Sequence, residues 1–395
     1  MRILFCPCHY LYDEVNEGSE FSWSYNIADR ISLKNPKSVV VTGKTQLKSP
    51  KPYKTIEMRP KGVARNPNPL EALKFNWSYF VTTTKQMKNS DFDIMHHVLP
   101  FAIGKTFNLY WLLKNTNNYG LILGPVQNPL EFDERDKGLR TLLMSSALQI
   151  LQPILSTLSK KTMRKANRVV VIHQKAKNLV LTYGVPENKI EIIPPGIDIK
   201  KFALAERGKQ KDPSRIELFV ACNLTQRKGV ELIIKALEKV ISQHKNVRLT
   251  IAGDGPQKKT LEQQVEELHL KPFVHFEGAI PNSEIRSYYG KSHVFVNMSR
   301  SEGFATVCLE AMASGLAIIS SKVGGFSDAI TNGVNGYLVD QEDYDALADR
   351  IISLIENPIL IEKFGKAARK DAENKYDWES VIIPKYINLY EEAIR

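Results

Sequence analysis

Short continuous runs of Val, Ile and Leu recur along the whole chain. Between them lie longer stretches whose apolar residues return at helical spacing. The runs Arg2–Phe5, Ser38–Val41, Ile94–His97, Leu121–Leu123, Arg168–Ile172 and Ile190–Ile193 predict strands. Helices are predicted over Phe21–Leu33, Pro69–Lys85 and Gln174–Thr182, the last followed by Gly184. Strands that are apolar throughout fit a parallel sheet covered on both faces, which the strand–helix–strand order also requires. Pro194-Pro-Gly-Ile-Asp198 is a turn cluster, and Ala205 to Pro213 is polar, so a break is expected there. From Ile216 the alternation restarts, with strands over Ile216–Cys222, Arg248–Ala252, Val274–Phe276, His293–Asn297 and Leu316–Ser320. Helices follow from Val230, near Gln257–Leu268 and over Val307–Ser314, and Trp378 to Ile394 closes the chain at helical spacing. The expected class is α/β with two doubly wound Rossmann-like domains, residues 1–195 and 216–375, joined by a linker at 196–215.

A chain of 395 residues is longer than one core usually supports, in keeping with two domains. Apolar content of 43% and charged content of 25% exclude a disordered or fibrous chain and decide little else. No stretch is long and apolar enough to span a membrane, and Met1 to Cys8 reads as a first strand rather than a signal peptide. Cys6 and Cys8 are spaced for neither a mutual disulfide nor a usual zinc site, and Cys222 and Cys308 read as small buried hydrophobes. A reducing, cytoplasmic compartment is the expectation.

The net charge of +11 changes the picture because it is uneven. Residues 1–195 hold 27 Lys and Arg against 15 Asp and Glu, whereas the remainder holds 27 against 28. The densest patch, 135–168, contains Arg135, Lys137, Arg140, Lys160, Lys161, Arg164, Lys165 and Arg168 with only Asp136 in opposition. Three partners fit a basic half: nucleic acid, an anionic membrane surface, or an anionic substrate. Nucleic acid is set aside because no binding motif or aromatic-interleaved basic strand accompanies the charge. The segment Leu139–Lys161 is apolar on one side and basic at its end, as for a helix in a lipid interface or one packed on its own domain, and Pro153 would kink it.

The most informative stretch is Ser299-Arg-Ser-Glu-Gly-Phe-Ala-Thr-Val-Cys-Leu-Glu-Ala-Met-Ala-Ser-Gly315. It lies between two predicted strands and opens a helix, where open α/β sheets bind ligands. Backbone N–H groups of Gly303, Phe304, Ala305 and Thr306 would face an anion there, helped by the helix dipole. Glu302 precedes the loop and Glu310 lies on the helix, so they reach different parts of a ligand. That suits a nucleotide sugar, with diphosphate on the amides, sugar hydroxyls on one carboxylate and ribose hydroxyls on the other. Gly18 in Asn16-Glu-Gly-Ser-Glu20 follows the first strand and would let backbone amides approach a phosphate or sugar. His96 and His97 end a strand, and a histidine can orient a sugar or handle an acceptor proton near neutral pH. Neighbours on a strand point to opposite faces, so one of the two is expected in a site and the other in the structure, with the pattern favouring His97. Asp91-Phe-Asp93 imitates a metal motif but reads as a loop end and strand start, and Gly253-Asp-Gly-Pro256 as a strand-to-helix turn with Pro in the first helical turn.

The string from Ser299 to Gly315, with Val323-Gly-Gly and Asn332-Gly-x-Asn-Gly-Tyr-Leu-Val339, resembles the Glu-x7-Glu region of family 4 retaining glycosyltransferases. That family has the GT-B fold, two Rossmann-like domains facing a central cleft, with a terminal helix (here 376–395) crossing back to the first domain. The resemblance implies transfer of a hexosyl group with retention from a nucleotide-diphosphate sugar. The basic amino-terminal half favours a glycan or a lipid-linked or phosphorylated acceptor at a membrane surface, as in envelope polysaccharide or glycolipid synthesis at the inner face of the cell membrane. No metal and no cofactor beyond the donor are implied. Ala221-Cys-Asn-Leu-Thr-Gln-Arg-Lys-Gly229 resembles the element whose Arg and Lys embrace the donor diphosphate. Lys228 matches the Lys, Asn223 stands where the Arg is usual, and Arg227 is a candidate to assist. Phe276-Glu-Gly-Ala-Ile-Pro281 resembles the edge that holds the base, through Ala279 and Ile280, and only Gly18 stands where the family usually has a glycine pair. These two departures also admit a degenerate GT-B protein that binds nucleotide or sugar as a scaffold, while the Glu302–Gly315 string fits the transferases better than a nucleotide-sugar epimerase of similar architecture.

Overall fold

Strands apolar on both sides need cover on both sides, and the chain supplies it with two parallel sheets flanked by helices. A computed structural model describes the chain except for residues 13–17, 47–48, 59–68, 90, 99–100, 103–109, 114–117, 128–152, 155, 203–214 and 305. The first sheet comprises β1 (Ile3–Tyr12), β2 (Val39–Gln46), β3 (Lys54–Glu57), β4 (Ile94–His97), β5 (Phe101–Ala102), β6 (Gly120–Gln127), β7 (Arg168–Val171) and β8 (Ile190–Ile192). Its order is β3-β2-β1-β4-β6-β7-β8, with β5 beside β6, and every pairing is parallel. Helices α1 (Gly18–Lys34), α2 (Pro69–Asn89), α3 (156–165) and α4 (Gln174–Thr182) belong to the same unit.

Ile94–His97 and Gln174–Thr182 have the bounds their patterns predict. β1 instead continues past Phe5 to Tyr12, through a register shift between Phe5 and Cys8 in its pairing with β2. Pro7 falls in that irregularity, where a missing N–H costs no ladder bond, and it breaks up the apolar run that would have announced the strand. The edge strand β3 has exposed ends and only half-buried central residues, so its four residues carry too little periodicity to be read. Most of the Leu139–Lys161 segment lies outside the described residues, as do Arg135, Lys137 and Arg140 of the basic patch.

The second sheet comprises β9 (Ile216–Ala221), β10 (Val247–Ala252), β11 (Val274–Gly278), β12 (Val294–Asn297), β13 (Ala317–Ser321) and β14 (Gly336–Val339), again all parallel. Its order is β11-β10-β9-β12-β13-β14. Helices α5 (Val230–Gln243), α6 (Lys258–Glu267), α7 (Ile285–Lys291), α8 (Thr306–Ala313), α9 (Gly324–Ala329), α10 (Tyr344–Glu356) and α11 (Pro358–Tyr376) surround it. α5 buries Val230, Leu232, Ile233, Ile234, Ala236, Leu237, Val240 and Ile241, and all of them share one core with Leu218, Val220, Leu249 and Ile251. Pro256 lies before α6 rather than in its first turn, because the helix starts only at Lys258.

The closing segment is not one helix. A wide π-type turn at Trp378–Ile382 precedes α12 (Ile383–Ile394), whose first turn holds Pro384, where no N–H is needed. The described residues divide into two units, one of residues up to Pro195 together with Ile382–Arg395, the other of Gly196–Val381. α12 packs on β4, β6 and α1 of the first unit.

Candidate functional site

In the second sheet β10 and β11 lie on one side of β9, and β12 to β14 on the other. The crevice at the carboxyl ends of β9 and β12 is therefore the switch point where doubly wound sheets bind ligands. Two loops meet there, the one after β9 ending at Gly229 and the one after β12 running to Thr306. Gly229 adopts φ +61°, and a side-chain carbon on it would stand 2.1 Å from the Met298 carbonyl oxygen. Only glycine permits that approach, and it brings the two loops together. Arg300 then stitches them: its N–H donates to the Arg227 carbonyl at 2.8 Å, and its guanidinium reaches the Gln226 carbonyl, Glu231 at 2.6 Å and Glu342 at 2.6 and 2.9 Å.

This stitching places Lys228 and Arg227 on Glu302. Lys228 Nζ donates to Glu302 Oε1, Arg227 Nη1 stands 3.4 Å from Oε2 and donates to the Ser301 carbonyl at 2.5 Å, and the Ser299 hydroxyl lies 2.8 Å from Oε1. The Glu302 side chain is only 8% exposed and that of Lys228 13%. Burial pushes the Glu302 carboxyl up, but the charges of Lys228 and Arg227 and the hydrogen bonds from Lys228 and Ser299 outweigh it. Its pKa is held below the ordinary glutamate value. Ser299 is itself anchored by the Ser321 hydroxyl, which donates to its carbonyl at 2.7 Å.

Beneath the loop, Gly324 at φ +44° leaves room for the Glu302 and Gly303 carbonyls, which a side-chain carbon would meet at 2.2 and 2.4 Å. The Gly325 N–H donates to the Gly303 carbonyl at 2.8 Å. Phe304 turns inward and packs on Tyr376 at 5.9 Å between ring centres. It can serve a ligand through its backbone only. The N–H groups of Gly303 and Phe304 donate to no described residue. Thr306 opens α8, and Ala305 lies outside the described residues. Glu310, one turn into α8, is largely buried, and its Oε2 accepts from the Tyr289 hydroxyl at 2.8 Å. Burial raises the Glu310 carboxyl above the ordinary value, against the lowering effect of that hydrogen bond.

Asn223 is exposed just after β9, and Ala279 and Ile280 follow β11 at the same edge of the sheet. Cys222 is half-buried beside the cluster, and burial pushes its thiol up to about 11, so it is not a nucleophile at neutral pH. Among the described residues no group of three His, Cys, Asp or Glu is placed to hold a metal ion.

The first sheet has its own switch point, between β1 and β4. Gly18 opens α1 after β1, and His96 and His97 end β4. His96 is wholly buried. Its Nε2 lies 3.1 Å from the Gly124 carbonyl and its Nδ1 2.6 Å from the Tyr390 hydroxyl of α12. The carbonyl can only accept, so Nε2 carries the proton and Tyr390 donates to Nδ1. Burial, opposed by the Gly124 bond, lowers its pKa to about 3. His96 is thus a neutral internal strut with both ring nitrogens engaged. His97 faces the other way, edge-on to Tyr110 at 5.5 Å. Asp93 caps the amino end of this region by accepting the Arg2 N–H at 2.6 Å, far along β4 from the switch point.

Sequence reasoning did not single out Tyr289, Ser299 or Arg300. Ser299 opens the informative string and could have been found there, whereas Tyr288-Tyr289 in a short helix carries no signal.

Residues 25–201 match the family described as Glycosyltransferase Family 4, and residues 203–371 the family described as Glycosyl transferases group 1. The gpi3 subunit of phosphatidylinositol N-acetylglucosaminyltransferase from Schizosaccharomyces pombe is 29% identical over 58% of this chain and 49% of its own. An uncharacterised glycosyltransferase of Methanocaldococcus jannaschii is 30% identical over 58% of this chain and 60% of its own. The matched stretch thus spans about half the length of these curated relatives. Among solved structures, sucrose-phosphate synthase from Thermosynechococcus elongatus superposes over 99% of this chain and 98% of its own, with a TM-score of 0.70 at 19% identity. The Anabaena protein HepE in complex with UDP covers 99% of this chain and 100% of its own, with a TM-score of 0.66 at 16% identity. The fold is GT-B, two α/β domains each built on a parallel sheet.

Proposed function

From the premise that both halves of this GT-B chain match glycosyltransferase families, with relatives that support a family 4 type, we propose that it transfers a hexosyl group with retention from a nucleotide-diphosphate sugar. The observation that carries this reading is the cluster of Lys228, Arg227 and Glu302 at the switch point, beside the N–H groups of Gly303 and Phe304. Without ligand, Glu302 pairs with both cations and leaves the cluster one positive charge in excess. An incoming diphosphate takes Lys228 and Arg227, with Asn223 and the loop amides, and releases Glu302 to the sugar hydroxyls near the reacting carbon. Glu310 takes the ribose, and the backbone at Ala279 and Ile280 borders the base. As the sugar–phosphate bond breaks, the charge that develops on the leaving oxygen meets Lys228. The acceptor hydroxyl attacks from the same face and passes its proton to the departing phosphate, so that no protein carboxylate forms a covalent link. Neither a metal nor a cofactor other than the donor takes part.

The acceptor side is assigned to the first unit, with Gly18 and His97 at its switch point. A glycan or a lipid-linked or phosphorylated acceptor suits that basic unit. One helix face there fits an anionic membrane surface. Trp77 and Val81, a turn apart on α2, are 57% and 46% exposed, and Lys74, Lys85 and Lys88 are exposed on the same side. An interfacial aromatic flanked by lysines matches an anionic lipid surface, and three like charges oppose self-association through the same face. No helix among the described residues is long and apolar enough to cross a membrane. The contact proposed here is a peripheral one, at the inner face of the cell membrane.

The test is thermal melting of the wild type, Lys228→Ala and Glu310→Ala with UDP-, GDP-, ADP- and dTDP-sugars, followed by transfer from the donor that binds. A melting rise for one donor, lost in both variants, supports the reading by linkage. Binding without transfer to any acceptor favours the scaffold instead, for which Asn223 in place of a cation is the motive.

A further inference from the structure

Glu310 is the one carboxylate of the cluster without a cation, and its orientation depends on a tyrosine. Tyr289 of α7 is fully buried, and its hydroxyl donates to Glu310 Oε2 at 2.8 Å. Three rings fix its aromatic ring: Phe219 of β9 edge-on at 5.1 Å, Phe202 edge-on at 6.0 Å and Phe295 of β12 at 6.2 Å. The other acceptor near the hydroxyl is the Val307 carbonyl, at 3.5 Å a much poorer partner. Phe219 and Phe295 lie on the two strands that flank the switch point, so the hydroxyl is referenced to the sheet that carries the site. Glu310 Oε1, by contrast, has no hydrogen-bond partner among the described residues.

We propose that Tyr289 is the positioning residue of the nucleoside subsite: it occupies Oε2 of Glu310 and leaves Oε1 as the single acceptor, aimed at a hydroxyl of the ligand's ribose. The inference rests on the donor-site reading above, because it takes Glu310 as the ribose contact. A carboxylate on a helix turns freely about its last torsion, and that freedom is lost when a ligand binds. A tyrosine with its ring locked removes the freedom beforehand, and its hydrogen bond favours the ionised carboxyl, the form that accepts. Tyr289 touches no ligand in this arrangement, so its effect should be confined to the nucleoside part and spare the diphosphate part held by Lys228.

The experiment is calorimetric titration of the full chain with UDP, GDP, ADP and inorganic pyrophosphate, for the wild type, Tyr289→Phe, Glu310→Ala and the double variant. Tyr289→Phe keeps the ring cluster filled and removes only the hydroxyl. It should weaken the nucleoside diphosphate that binds the wild type by about tenfold, the worth of one hydrogen bond to a charged group, and leave pyrophosphate unchanged. The double variant should bind no more weakly than Glu310→Ala, since the two residues act as one unit. In turnover the donor KM should rise with little change in kcat. Phe219→Leu loosens the ring's seat with the hydroxyl in place, and serves if Tyr289→Phe does not fold; it should show the same split with a smaller loss. Unchanged nucleotide affinity, an equal loss for pyrophosphate, or additive losses in the double variant would each overturn the assignment to Tyr289. A wild type that binds no nucleotide, or a Glu310→Ala variant that binds as the wild type does, overturns the donor-site reading itself and the role of Tyr289 with it.

Discussion

Replacing Glu302 by Gln removes one negative charge and little of the side chain's shape, which makes it a sensitive probe of the switch-point cluster. Glu302 accepts from Lys228 and Ser299 and faces Arg227, with its side chain only 8% exposed. Breaking a buried ion pair by removing one partner costs about 3–5 kcal/mol. Gln still offers an oxygen to Lys228 and Ser299, and Lys228 at 13% exposure can recover some water, so about 2 kcal/mol is the expected loss. In a domain of this size each kcal/mol moves Tm by about 2–4 °C, so the unit carrying the cluster should melt about 4–8 °C lower at neutral pH. The sign with pH follows from the depressed pKa. Glu302 contributes stability that is complete above the ordinary value of 4.5 and is lost as pH falls through its lower folded value. The gap between wild type and variant should therefore be constant at neutral pH and close below about 4.5. Nucleotide binding should move the opposite way. With Glu302 neutral, Lys228 and Arg227 no longer compete for an internal anion, and the nucleoside diphosphate that binds the wild type should bind several-fold tighter, by about 1 kcal/mol. Transfer should nevertheless fall by about 100-fold, the loss of about 3 kcal/mol of charged contact to the sugar in the transition state. Scanning fluorimetry across pH, calorimetry and a labelled-donor transfer assay measure the three effects. If nucleotide affinity drops in step with transfer, Glu302 does not restrain Lys228 in the free protein, and the exchange of partners proposed for donor binding is wrong.

Gly229→Ala should be among the most damaging single-methyl changes in the second unit, costing about 3 kcal/mol. It combines a left-handed φ with a 2.1 Å approach to the Met298 carbonyl, and chemical denaturation beside Gly290→Ala, where a side-chain carbon meets nothing, gives the control. His96 is neutral in the fold with its pKa lowered to about 3, whereas the unfolded chain takes up a proton near 6.5. Its contribution is whole above pH 6.5 and is lost as pH falls toward 3, at up to about 1.4 kcal/mol per pH unit. Urea midpoints between pH 7 and 5 should fall in the wild type and fall less steeply in His96→Phe, and an imidazole signal that titrates near 6.5 would refute the burial argument. Trp77→Ala should leave Tm within about 1 °C, as expected for an exposed residue. It should lower sedimentation with phosphatidylglycerol vesicles several-fold at low salt, and wild-type sedimentation that is equal with neutral vesicles would remove charge as the cause.

Much of the architecture was legible in local pattern. The alternation of apolar runs and helical periods and the bounds of Ile94–His97 and Gln174–Thr182 follow from where each residue's own side chain must go, and burial of a run needs no knowledge of its partner. Elements that lean on a neighbour escaped this reading. β1 beyond Phe5 exists because β2 pairs with it, β3 because a sheet edge was there to extend, and β5 because β6 runs on past the end of β4. At the switch point the sequence determined which residue types were present: two acids on either side of a small-residue loop, and a Lys-Gly pair after another strand. The tertiary structure decided what they do to one another. Lys228 and Glu302 are 74 residues apart and meet because β12 lies beside β9, a strand order set by how whole helices pack and by no local pattern. The same holds for His96, which the chain lists beside His97 and which becomes an internal strut only because α12, 294 residues on, brings Tyr390 to its ring. Hydrophobic periodicity is written within a few residues. Ion pairs and buried hydrogen bonds join residues far apart in the chain, and their geometry exists only once the sheet has closed around them.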